Sequence, residues 1–332
     1  MKHTDNAINI LTAKTYKDVG RYWIVKNLKG NESIEKIVFL LNNKTKQSKI
    51  INTDDFEFKK NQIKEELSNF KDCCDGLLAI GDKNFPICRG DVKESDQPIF
   101  LFYKGDINLL DIDNKNITVI GLLNPDEQIE SREKKIVEEI TKQDITIVSG
   151  LALGCDSIAH QQAILYGKTI AILPSPLNNI LPTKNKNLAH EIVDQGGLLI
   201  TEYYENFKSK MELSSRYKER DRLQALFCNT IILAASYAQD SAARWNIDNQ
   251  KLDSGARLAM EYAKNYNIPR AVMYNEDTDI KNPMFDLNRQ LISEDDNVII
   301  LTKKNLREII DKIKEKKTNE LQEQKPLDLF DQ

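Results

Sequence analysis

Residues 145–163 read ITIVSGLALGCDSIAHQQA. Four β-formers (Ile145, Thr146, Ile147, Val148) run into a loop of small residues, Ser149-Gly150-Leu151-Ala152-Leu153-Gly154-Cys155. Asp156-Ser157 reads as an N-cap, and Ile158, Ala159, Gln162 and Leu165 lie near helical spacing beyond it. The stretch predicts strand, glycine loop and helix N-terminus. A turn of this kind offers unpaired backbone N–H groups at the positive end of a helix dipole, which suits an anion such as phosphate. Equally, two glycines make an ordinary tight turn between a strand and a helix.

Outward from this turn, apolar runs and helical periodicities alternate. Strands are expected at 77–80, 99–104, 117–121, 169–173, 198–202, 230–234, 271–274 and 297–301. Helices are expected between them at 131–142, 187–195, 221–228 and 254–266. Several strands are near-continuous apolar runs, as expected for a parallel sheet covered on both faces. The fold expected is α/β, Rossmann-like and doubly wound, with a mostly parallel sheet. Ligands of such sheets sit beyond the carboxyl ends of the strands, where the loops after Gly121, Ser149, Leu173 and Glu202 should meet.

Three parts are expected. Residues 1–75 read as a polar helical module, with helices at 16–28, 33–41 and 61–70. Residues 76–302 hold the sheet. Residues 303–332 read as a charged helix and a flexible polar tail. The chain has 332 residues, 40% hydrophobic and 30% charged, with a net charge of −4. That balance gives no global attraction to nucleic acid, so any such binding must come from a local basic patch. No signal-peptide pattern opens the sequence and no apolar run is long enough to span a bilayer, so a cytoplasmic protein is expected. The five cysteines form no CxxC pair, and the three histidines are scattered, so neither a metal nor another cofactor is expected.

The strand at 117–121 is followed by Leu122-Leu123-Asn124, not by G-x-G-x-x-G, and neither a P-loop nor a GxSxG elbow is present. Dinucleotide-dependent redox chemistry, P-loop nucleotide hydrolysis and serine hydrolysis lose their usual signatures. A Ser149/His160/Asp156 relay is conceivable on spacing, but the strand-end serine need not reach the helix face, and His160 reads better as a structural hydrogen-bonder.

Ser149-Gly150-Leu151-Ala152, Gly154, Asp156, Ala159-His160 and Ala163 resemble the signature of the DNA-processing protein A family (DprA, also called Smf). Further elements follow in the family's order. They are Asp82 with Phe85-Pro86, Leu101–Asp106, Thr169–Leu173 with Pro182 and Asn185, Gly197 with Glu202-Tyr203, Arg220-Asp221-Arg222, Ser254-Gly255, and Asn288 with Leu291-Ile292. The resemblance covers about residues 78 to 300. It implies a non-enzymatic, dimeric protein that binds single-stranded DNA and helps load a RecA-type recombinase during natural transformation. A divergent branch working in phage defence is a variant of that expectation. The alternative is a nucleotide-sensing or nucleotide-processing protein of the same superfamily.

Single strands need a positive groove for phosphates and aromatic faces for bases. The residues that the resemblance and the chemistry assign to nucleic acid are Gly121, Ser149, Gly150, Gly154, Asp156, Lys184, Asn185, Lys186, Arg220 and Arg222. Between Lys208 and Arg222 six basic residues face three acidic ones, interleaved with Tyr217 and following Tyr203, Tyr204 and Phe207. Several positions depart from the family pattern, among them Met273-Tyr274, near which the family has proline-glycine. Leu122-Leu123 stands where the family has serine-arginine, and Ala235 where it has glutamate. An extra polar segment containing Arg244 and Trp245 lies between Ser236 and Ser254. In the tail, Leu327-Asp328-Leu329-Phe330 resembles the peptide by which bacterial proteins dock on the replication sliding clamp.

Overall fold

The computed structural model describes residues 1–44, 50–247, 252, 255–302 and 304–315. The clamp-like motif Leu327–Phe330 and Ser254 lie outside the described residues.

The chain opens with β1 (Lys2–His3), α1 (Asp5–Lys14), α2 (Arg21–Asn27), α3 (Ile34–Lys44) and α4 (Thr53–Ser68). An antiparallel pair follows, β2 (Gly76–Ala79) and β3 (Phe100–Gly105). Strand and helix then alternate through β4 (Asn116–Ile120), α5 (Glu127–Thr141), β5 (Thr146–Ser149), α6 (Cys155–Tyr166), β6 (Thr169–Ile172), α7 (Lys186–Asp194) and β7 (Leu198–Thr201). The second half holds α8 (Lys210–Leu226), β8 (Thr230–Leu233), α9 (Ser241–Trp245), α10 (Ala256–Asn265), β9 (Arg270–Met273), α11 (Glu276–Asp279), α12 (Asp286–Glu294), β10 (Ile299–Leu301) and α13 (Leu306–Glu315).

One ten-stranded sheet results, in the order β1-β2-β3-β7-β6-β5-β4-β8-β9-β10. From β7 to β10 every pairing is parallel, and β3 alone runs against its neighbours. The chain leaves β4 toward β7 on one side and returns to β8 on the other, so the topological switch point lies between β4 and β8. The doubly wound α/β expectation is met. Strands β4 to β9 are buried because both faces are covered. On one face Leu223 and Leu226 of α8 and Ala259 and Met260 of α10 pack with Ile231 and Val272. On the other, Val137 and Ile140 of α5 and Ala159 and Ala163 of α6 pack with Ile117, Ile147 and Ile232.

The N-terminal helices share a core with the sheet. Ile8, Ile24, Leu41 and Phe56 belong to one buried cluster with Phe100, Phe102, Leu151, Leu173 and Leu188.

Three local expectations need correction. The helix expected at 16–28 is shorter, because Asp18 takes a left-handed φ of 63° and Gly20 is an extended N-cap, so α2 starts at Arg21, and α1, which was not expected, precedes it. The helix expected at 221–228 starts eleven residues earlier, at Lys210, where the Ser209 hydroxyl accepts from Glu212 N. Arg220 therefore joins Arg222 on the helix. Finally, α6 is capped by Gly154 with no side-chain cap. Asp156 is turned back to the loop instead.

Candidate nucleic-acid interface

The loop after β5 is held from three sides. Asp156 Oδ2 accepts from Gly150 N (3.1 Å) and Ala152 N (3.2 Å). Asn185 Nδ2 donates to Leu151 O (2.8 Å) and Ala152 O (3.0 Å). Cys155 N donates to Leu122 O (2.9 Å), which joins the loop after β4 to the start of α6. Leu151 takes a left-handed φ of 58°. Two glycines are required by contact. At Gly154, with φ 72°, a Cβ would lie 2.2 Å from Leu122 O and 2.4 Å from Leu123 O. At Gly150 it would lie 1.3 Å from Arg220 Nη1.

This geometry changes the chemistry expected of the turn. The amides of Gly150 and Ala152 are spent on the Asp156 carboxylate, and that of Cys155 on a carbonyl. The protein's own carboxylate sits where a phosphate was expected, and Arg220 Nη1 approaches it at 3.4 Å.

Ser149 is fully buried and its hydroxyl donates to Val119 O (2.7 Å), strapping β5 to β4. It is not available to a ligand. His160 is fully buried too. The Thr169 hydroxyl donates to Ile147 O (2.9 Å), so His160 Nδ1–H must be the donor to Thr169 Oγ1 at 2.7 Å. Burial, aided by the nearby Arg220 charge, pushes the His160 pKa down to about 3. The ring is neutral and structural. Ser149, His160 and Asp156 each bond elsewhere, so no relay connects them.

The basic residues divide. Arg222 is 1% exposed; its guanidinium bonds Glu202 Oε2 (2.5 Å) and Asp96 O. Arg21 of α2 joins the same cluster, 3.4 Å from Glu202 and 2.7 Å from Glu219. Arg216 is buried between Glu205 O and Glu212, with its guanidinium 4.3 Å from the Tyr203 ring centroid. Arg220 is buried against Gly150, Asp156 and Asp221. Arg220 and Arg222, expected as phosphate contacts, are thus corrected to internal ion pairs. They are buried because α8 is covered on every side from Arg220 to Leu226. Lys184 and Lys186, in contrast, are exposed on either side of Asn185, the residue that holds the β5 loop. Lys208, just ahead of α8, and Lys210 and Lys218 on it are exposed.

Gly121 is buried beside the same loop; a Cβ there would lie 2.6 Å from Cys155 Sγ and 3.0 Å from Ala235 O. The loops after β4, β5 and β8 therefore touch at the carboxyl edge of the sheet. Leu122 is buried and Leu123 is exposed at this edge.

Sequence reasoning missed Glu133. It lies in the apolar stripe of α5 with Ile129, Val137 and Ile140, is 1% exposed and stands beside Cys155. Burial raises its carboxyl well above the ordinary range. The signal was available: a glutamate at the i, i+4, i+8 positions of a buried helical face.

Comparisons with known proteins agree with this architecture. The family profile of DNA recombination-mediator protein A matches residues 76–311. Protein Smf of Borreliella burgdorferi is 32% identical over 127 residues, 38% of this chain and 39% of the relative. DNA processing protein DprA of Streptococcus pneumoniae is 31% identical over 140 residues, 42% of this chain and 47% of the relative. The chain thus matches less than half the length of these curated relatives. The crystal structure of the S. pneumoniae protein superposes with a TM-score of 0.67 at 23% identity, over 93% of this chain and 99% of that one, which shows the shared fold. DNA processing protein A of Helicobacter pylori, whose structure addresses its single-stranded DNA binding mode, gives a TM-score of 0.55 at 25% identity, over 72% of this chain and 95% of that one. With the family profile spanning well over half of its residues, this chain belongs to the DNA recombination-mediator protein A family.

Proposed function

We propose that this protein binds single-stranded DNA along the carboxyl edge of its parallel sheet and passes the strand to a RecA-type recombinase. The observation that carries the reading is the pair of exposed lysines, Lys184 and Lys186, flanking the side chain that fixes the β5 loop. They present positive charge in solvent beside a rigid edge, as a phosphate backbone requires. Family membership and the single-strand binding described for the H. pylori protein support the ligand class. The buried neutral His160 and the internally bonded Ser149 favour binding over turnover. A homodimer, and docking of the Leu327–Phe330 tail on a sliding clamp, belong to the same reading and rest on resemblance. Among the described residues no helix is long and apolar enough to cross a membrane.

The test is fluorescence anisotropy of a labelled oligonucleotide at two salt concentrations. Affinity is expected to fall with salt by about 0.7 log units per log unit of salt for each phosphate contact. The double variant Lys184→Ala/Lys186→Ala should bind about tenfold more weakly, with a slope shallower by about 1.4. Binding that ignores salt, or that the double variant leaves unchanged, overturns the reading.

A further inference from the structure

The extra segment after β8 carries an exposed aromatic ring that is fixed in place. Trp245 closes the five-residue α9 and keeps 38% of its surface in solvent. The protein's other tryptophan, Trp23, is 8% exposed in the N-terminal core. The Trp245 indole N–H donates to Asp286 Oδ2 at 2.7 Å. Asp286 is 2% exposed and is itself held by the Ser241 hydroxyl (2.6 Å), Arg289 and Arg244 (3.2 Å). The Arg289 guanidinium lies 5.8 Å from the indole centroid. A buried carboxylate with this many donors is a rigid anchor, so the ring does not depend on apolar packing for its orientation.

The anchor is built on the carboxyl edge. Asn288, two residues beyond Asp286, donates to Ala234 O (3.1 Å) and Met273 O (2.9 Å), at the ends of β8 and β9, and accepts from Ser236 N (3.2 Å). Ala235 O in turn lies against Gly121 of the β4 loop. Trp245 therefore stands on the same edge as Gly150 and Lys184, on the far side of the β4/β8 switch point. From β6 to β9 this edge crosses four strand spacings, about 19 Å. At about 3.4 Å per stacked nucleotide that is a path of five or six nucleotides.

The local charges do not favour a phosphate. Arg244 is paired with Asp240 and Asp286, and Arg289 with Asp286. An electrically compensated surface that displays a fixed indole suits the uncharged, planar part of a nucleotide. We propose that Trp245 is a base-stacking platform for the single strand, placed in this chain's own insertion at the edge where Leu122-Leu123 replaces the expected serine-arginine. The proposal rests on the single-strand reading above and adds a stacking contact to it.

The two tryptophans make the test direct. In a Trp23→Phe variant, Trp245 is the sole indole. Its emission should be quenched as oligothymidylate of about 12 nucleotides is added. In parallel, anisotropy of the labelled strand should show about tenfold weaker binding for Trp245→Ala, with Trp245→Phe retaining most of the affinity. Unchanged emission together with undiminished binding by Trp245→Ala overturns the platform and leaves the single-strand reading standing. Quenching by thymidine monophosphate but not by the oligonucleotide also overturns it, in favour of a small-molecule site. Absence of any anisotropy change with the unmodified protein removes both readings.

Discussion

Two basic pairs lie near the carboxyl edge of the sheet, and they have opposite fates. Arg220 and Arg222 stand two apart on α8 and are buried in carboxylates. Lys184 and Lys186 stand two apart ahead of and at the start of α7 and are exposed. Counted as charges, the two pairs are equal candidates for phosphate. Residue chemistry separates them. A guanidinium can satisfy several acceptors at once and tolerates burial when it is paired, whereas an ammonium is strongly hydrated and stays in water. The arginines build the edge and the lysines face what lands on it.

The largest effect expected of this division is on folding. Arg222→Ala leaves Glu202 buried beside a cavity, and it should cost about 3–5 kcal/mol in urea denaturation. A loss under 1 kcal/mol would place Arg222 outside the core and reopen it as a ligand contact. Gly150→Ala comes next. Its Cβ must displace the Arg220 guanidinium from a closed space, so about 1–3 kcal/mol should be lost. If the pair differs as described, Gly150→Ala combined with Arg220→Ala should be less destabilised than the sum of the two single variants.

A smaller, pH-dependent effect belongs to His160. Its pKa is about 3 in the folded chain against an ordinary 6.5, so the unfolded chain binds the extra proton in that interval. The stability it supports is complete above about pH 6.5 and is lost progressively as the pH falls toward 3, by up to about 1.4 kcal/mol per pH unit. His160→Gln should flatten that limb of a stability–pH profile measured by denaturation. An unchanged limb would mean that other groups carry it. The lysine double variant stands last on this scale: its denaturation midpoint should not move, while its affinity for single strands does.

The strands were legible because burial on both faces leaves runs such as Ile117-Thr118-Val119-Ile120 with little choice of environment. The first half of α8 was not. Its buried positions include Arg216 and Arg220, so it shows no apolar stripe, and Asp156, which pairs with Arg220, lies far away in the chain. Likewise α1 buries Asn9 and Thr12 among its apolar residues, which blurs its periodicity. At the site, the order of the motif residues pointed to the loop, and Asn185 and Asp156 do brace it. What spacing does not reveal is which amides a neighbouring carboxylate will consume.

The two residues of β1 carry a consequence for solubility. Lys2 and His3 are exposed and pair with Gly76 and Leu77, the first half of β2, whose four residues Gly76-Leu77-Leu78-Ala79 are largely apolar. The family match begins at residue 76, so a fragment cut there would bare β2 along its whole length and strip the helices from Phe100 and Phe102. A short, charged terminal strand is a poor template for another chain, and a bare apolar one is a good template. The boundary that similarity draws is one at which this protein would be expected to aggregate.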